Sequence, residues 1–112
     1  MAKVNNLYID QGSDYTTIVV VESDTELPFD LTDYTATSQM RKSFGSSYSH
    51  DFTCTIVDAL SGEIHLSLLG DDSSTIRPGR WLYDVEILHT VTGEKRRVCE
   101  GQVIITPEIT KT

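Results

Sequence analysis

Arg80-Trp81-Leu82-Tyr83-Asp84-Val85-Glu86-Ile87-Leu88-His89 alternates without a break. Trp81, Tyr83, Val85 and Ile87 fall on one side, and Leu82, Asp84, Glu86 and Leu88 on the other. Side chains of an extended chain project alternately to its two faces, so this period of two predicts a strand whose aromatic and β-branched side is buried. That side is the expected centre of the core. After it, Thr90-Val91-Thr92-Gly93 reads as a turn into a long last strand, Glu94 to Thr106, where Gly101 is the expected site of a bulge. Before it, Asp71-Asp72-Ser73-Ser74 offers capping side chains for one helical turn between Gly70 and Ile76, which Arg77-Pro78-Gly79 ends.

The same alternation recurs upstream, and no window carries a helical period. Strands are expected at Leu7 to Asp10 and at Asp14 to Glu22, where Ile18 to Val21 is dense in β-branched residues. Ser23 to Asp30 reads as a turn and crossing, because Pro28 cannot donate to a ladder. From Tyr34 to Lys42, Tyr34, Ala36, Ser38 and Met40 form the expected inner face. Phe52, Cys54 and Ile56 point inward on the next strand. The turn Asp58 to Gly62 then returns the chain as an antiparallel hairpin into Ile64, Leu66 and Leu68. About seven short strands joined at near-regular intervals predict an all-β, Ig-like antiparallel β-sandwich. One domain spans residues 1–112, with 1–6 as an N-terminal arm and 107–112 as a frayed tail.

Charge narrows the function. Seventeen Asp and Glu against nine Lys and Arg give a formal charge of -8 over 112 residues. Nucleic-acid binding draws on clustered cations that release counterions, so no nucleic-acid partner is expected. The start of the chain lacks an apolar core of signal-peptide length, and the longest aliphatic run, Ile18 to Val21, is too short to span a bilayer, so no membrane partner is expected. Residues 1 to 33 hold seven acids against Lys3 alone, an acidic surface. Two basic clusters at strand ends, Arg41-Lys42 and Lys95-Arg96-Arg97, are candidates to meet an acidic patch on a neighbouring copy or partner. Ser43 to His50 is the most polar, Gly/Ser-rich loop, and it adds Phe44, Tyr48 and His50 to the candidate interface.

Catalytic chemistry finds no foothold. A reactive Cys needs a lowered pKa and a base, whereas Cys54 lies on a core face between Phe52 and Ile56 and Cys99 shares a face with Gly101 and Val103. Whether the two cysteines pair is left open by their spacing. His65 beside Ser67 lacks a nucleophile elbow or oxyanion loop. Asp71-Asp72 lacks the spacing of a cation loop, and Cys54 and Cys99 lack that of a zinc site. The chain is read as non-enzymatic, with no catalytic residue, cofactor or metal.

Several stretches carry a resemblance. Asn6-Leu7-Tyr8-Ile9-Asp10-Gln11-Gly12-Ser13, Phe29-Asp30-Leu31-Thr32-Asp33-Tyr34-Thr35-Ala36, Met40-Arg41-Lys42-Ser43, Gly62 to Leu68, Pro78 to Ile87 and Glu100 to Glu108 together resemble the small β-sandwich structural proteins of tailed bacteriophages. The chain is similar in particular to virion proteins of contractile-tailed phages of cyanobacteria, and more loosely to the N-terminal domain of the phage baseplate upper protein. That protein continues into a helical linker, so a short accessory subunit is the expected role. The resemblance implies a structural or assembly subunit of tail, baseplate, neck or capsid, located in the virion after assembly in the host cytoplasm. It implies contacts with other virion proteins and with copies of itself, and it supplies no catalytic residues. A carbohydrate- or receptor-binding module using Phe44, Tyr48 and Trp81 is the alternative reading.

Overall fold

A computed structural model of the chain describes residues 3–22, 27, 29–43, 45–47 and 49–109. Eight strands and one helical turn follow in order: β1 (Lys3–Val4), β2 (Leu7–Asp10), β3 (Tyr15–Val20), β4 (Tyr34–Arg41), β5 (Ser49–Asp58), β6 (Glu63–Leu68), α1 (Gly70–Ser73), β7 (Gly79–His89) and β8 (Lys95–Thr106). The alternation read from the sequence is the alternation of burial. Trp81, Tyr83, Val85 and Ile87 are buried together with Ile64, Leu66, Leu68, Met40 and Phe52, in one core that both layers share.

The strand order is β1-β8-β7-β4-β5-β6-β3, with β2 also on β8. β4, β7 and β8 form one layer and β3, β6 and β5 the other, which is the division of strands in an Ig-like sandwich. β5 belongs to both. Ser49 to Phe52 pair with β4, and Thr53 to Asp58 pair with β6. The layers are therefore joined along one edge, and the sheet curls continuously over its core.

Four local features differ from the sequence reading. Ser49 and His50, read as the end of a loop, open β5 because they pair with Arg41 and Met40 of β4. The antiparallel pattern fails at the N-terminus, where β1 and β2 lie parallel on β8. β7 already fills the antiparallel side of β8, and the arm takes its other edge; alternation buries Leu7 and Ile9 equally well in either direction. The bulge in β8 sits at Val98, since Val85 pairs Cys99 while Glu86 pairs Arg97. Gly101 stays in register opposite Tyr83, and a Cβ there would collide with the Asn5 carbonyl. At α1 the cap comes from another element. The Asp14 carboxylate accepts the Gly70 N–H at 2.6 Å, and no side chain at Leu69 caps the turn.

The buried polar groups of Ser73, Ser38 and Trp81 are satisfied. Ser73 accepts from the Gly12 N–H at 3.0 Å and donates to the Ser13 carbonyl at 2.9 Å, which ties α1 to the β2–β3 turn. Ser38 donates to the Asp84 carbonyl at 2.6 Å, and the Trp81 indole to the Arg77 carbonyl at 2.9 Å. Each would otherwise cost about 1–3 kcal/mol unpaired.

Candidate functional site

The residues singled out by charge and loop composition separate into three places. Trp81 and Leu88 mark opposite ends of β7, roughly 23 Å apart at the rise of an extended chain. At the Trp81 end, the Lys42 ammonium lies 5.3 Å from the indole centroid and donates to the Arg80 carbonyl, while the His50 ring meets the same indole edge-on at 5.3 Å. Burial lowers the His50 pKa against the upward pull of Asp51 and Asp72. Trp81 itself is only 3% exposed, so it supports Lys42 and His50 from below and offers no open aromatic platform. Phe44 and Tyr48 lie outside the described residues.

At the other end Lys95 pairs opposite Leu88, and Arg96 is held by Glu94 at 2.7 Å with its guanidinium over the Phe29 ring. Between the two ends, Arg41 and Arg97 meet on the outer face of the β4–β7–β8 layer. They line a concavity of about 320 Å³ with Asp84, Glu86 and Glu100. A second concavity, of about 360 Å³, adjoins it through Leu82 and Glu100 and runs to Val4 and Gln102.

The bulge at Val98 makes this groove. Arg97 stands two residues from buried Cys99 and would share its inward face in an unbroken strand; the extra residue turns it outward beside Glu86. There its guanidinium bonds Asp84 at 3.1 Å and Glu100 at 3.3 Å. Arg41 is occupied locally by the Ser46 carbonyl at 2.7 Å and the Gln39 amide oxygen at 3.0 Å. Burial, followed by neighbouring Glu86, raises the Asp84 pKa, and Arg97 opposes that rise. Three carboxylates against two guanidinium groups leave the groove acidic.

The sulfur and phenol groups are held protonated. Burial pushes the Cys54 thiol up to about 11, and it raises Cys99 and Tyr83 as well. Both cysteines are free thiols. Tyr83 donates its hydroxyl to the Asn5 carbonyl at 2.5 Å and touches the Cys99 sulfur at 3.4 Å, a structural clamp on the N-terminal arm. Among the described residues, no three His, Cys, Asp or Glu side chains converge as metal ligands.

Which strands end the sheet is shown by the tertiary structure. The β-branched run of β3 was visible, but its place at the end of the strand order was not. Ile18 is 53% and Val20 39% exposed there, and Tyr8 is 69% exposed on β2 at the opposite edge.

No family model matches the chain, and no curated protein matches it. Among solved structures it is similar to the crystal structure of Listeria monocytogenes InlP, at TM-score 0.44 and 15% identity. The match covers 96% of this chain and 28% of that one.

Proposed function

We propose that this chain is a non-enzymatic assembly subunit of a tailed-phage virion, a component of tail, baseplate, neck or capsid surface that works through protein contacts. The observation that carries this reading is the open sheet. Both ends of its strand order, β1–β2 and β3, are edge strands with exposed apolar side chains at Val4, Tyr8, Ile18 and Val20. Such edges are templates for another chain, and a sheet that keeps two of them is suited to repeated contacts. The resemblance of its strand and turn segments to small virion proteins supplies the setting.

The groove beside Arg97 adds a polar surface that selects partners by charge. A carbohydrate-binding module would need Trp81 on a platform, where it is instead covered by His50 and Lys42.

Cryo-electron microscopy of purified particles from the source phage tests the proposal. Ordered copies in contact with tail, baseplate, neck or capsid subunits are the expected result. Absence of the chain from intact particles overturns it.

A further inference from the structure

Edge strands in monomeric proteins are ordinarily blunted by Lys, Pro, a bulge or a covering loop. Among the described residues, β3 carries none of these. It pairs with β6 in unbroken register from Tyr15–Leu68 to Val20–Glu63, and the chain has no basic residue between Lys3 and Arg41. The Val21 N–H bonds the Gly62 carbonyl, so the odd-numbered residues of β3 face β6. Thr16, Ile18 and Val20 therefore present N–H and C=O to the free side.

The opposite edge has matching parity. Asn5 and Gln11 donate to Glu100 and Thr106 of β8, so the odd-numbered residues of the arm face β8 and Val4, Asn6 and Tyr8 face away. On both edges the residues with free backbone groups point their side chains outward from the core.

We infer that copies of this chain join head to tail, the free edge of β3 pairing antiparallel with the free β1–β2 edge of the next copy. The register sets Ile18 opposite Tyr8 of the second copy and Val20 opposite its Asn6. In that register Ile18 with Tyr8 and Val20 with Asn6 join residues whose backbone groups face the free sides, and the exposed Ile18 and Tyr8 side chains cover one another on the same face.

Charge disfavours its nearest alternatives. A two-fold β3–β3 pairing centred on Ile18 would set Asp14 against Glu22, and like charges directly opposite destabilise a ladder. Sliding the head-to-tail register by two residues would set Asp10 against Asp14 in one direction and the Asp10 carboxylate against Ile18 in the other. The proposed register instead puts Asp10 against Thr16 and Glu22 against Val4, and brings Lys3 to the end of β3 that carries Glu22. Such a contact is heterologous, so it builds rings or filaments and does not stop at two copies.

The inference rests on the reading of the chain as a contact-making subunit, and the two can fail separately. The test uses Ile18→Pro and Tyr8→Pro, each of which removes an N–H that faces away from the neighbouring strand of its own copy. Ile18→Lys and Tyr8→Lys replace either variant that loses its far-ultraviolet circular dichroism. Sedimentation equilibrium of the wild-type chain should give a mass above twice 12.5 kDa that rises with concentration. Each variant alone should stay at 12.5 kDa, because each has lost one of the two edges that a contact needs. An equimolar mixture should form a species of two chains and nothing larger, since one good edge of each kind remains.

A wild-type chain of 12.5 kDa throughout overturns the inference. So does a wild-type dimer that Ile18→Pro abolishes and Tyr8→Pro leaves intact, which identifies β3–β3 pairing. A chain monomeric in solution yet ordered in particles removes this inference and leaves the assembly reading standing. Self-assembly in solution with absence from particles does the reverse.

Discussion

Replacing Tyr83 by Phe removes one oxygen atom and tests what holds the N-terminal arm to the sandwich. The ring is buried opposite Gly101, and its hydroxyl donates to the Asn5 carbonyl at 2.5 Å, at the break between β1 and β2. Phe keeps the ring and its packing against Phe52, so the transfer and cavity costs of a larger truncation do not enter. What is lost is a single hydrogen bond, and the Asn5 residue is exposed enough for water to replace it in part. The expected cost is about 1 kcal/mol, equivalent to roughly 4 °C in Tm for a domain of this size.

The loss should be local as well as global. Hydrogen exchange followed by NMR should show faster exchange at Asn5 and neighbouring arm amides, with β6 and β7 amides quickened only by the global change. Gly101→Ala should loosen the same amides by another route, because its Cβ would displace the Asn5 carbonyl. Unchanged arm exchange in Tyr83→Phe, whatever the Tm, would refute the clamp.

Three further outcomes are expected. Asp33 has φ 65 and accepts the Thr90 N–H at 2.8 Å, so Asp33→Ala should cost about 1 kcal/mol and Asp33→Gly close to nothing, read from urea midpoints. Burial lowers the folded-state pKa of His50 below 6.5, so folded His50 binds protons less readily than unfolded His50. Its stabilising contribution is then present above pH 6.5 and lost as pH falls through the folded value, and His50→Gln should flatten that acid-side decline in the urea midpoint. Asp84 has the opposite sign: a raised pKa favours folding below 3.8 and loses that contribution as pH rises through the folded value. Arg97→Gln removes the group that opposes the rise, so NMR titration should find Asp84 protonating at still higher pH, with a stability deficit larger at neutral pH than below 3.8.

Residue-level phasing was readable because it is a local property. Burial of Met40, Leu66 and Tyr83 follows from alternation with neighbours two residues away, and the boundaries of β2 and β6 follow from where that alternation meets Asp, Gly and Ser. The interface was less readable. Basic residues adjacent in sequence part company in space: Arg41 enters the groove while Lys42 turns to Trp81, and Arg97 joins Asp84 while Arg96 caps Phe29. Adjacent residues of a strand point to opposite faces, so a charged run is never one surface in a sheet. The bulge at Val98 then reverses the parity of Arg97 with no Gly or Pro to announce it.

By itself, the sequence determined that the chain is all-β, which side of each main strand is buried, and that its cysteines lie in apolar surroundings. These depend on periodicity and on the affinity of side chains for water, both of which operate within a few residues. Tertiary structure alone decided that the arm runs parallel on β8, that β5 serves both layers, and that β3 ends the sheet with its edge open. Hydrogen bonds between distant segments carry no local trace, because either strand direction and either neighbour satisfy the same alternating pattern.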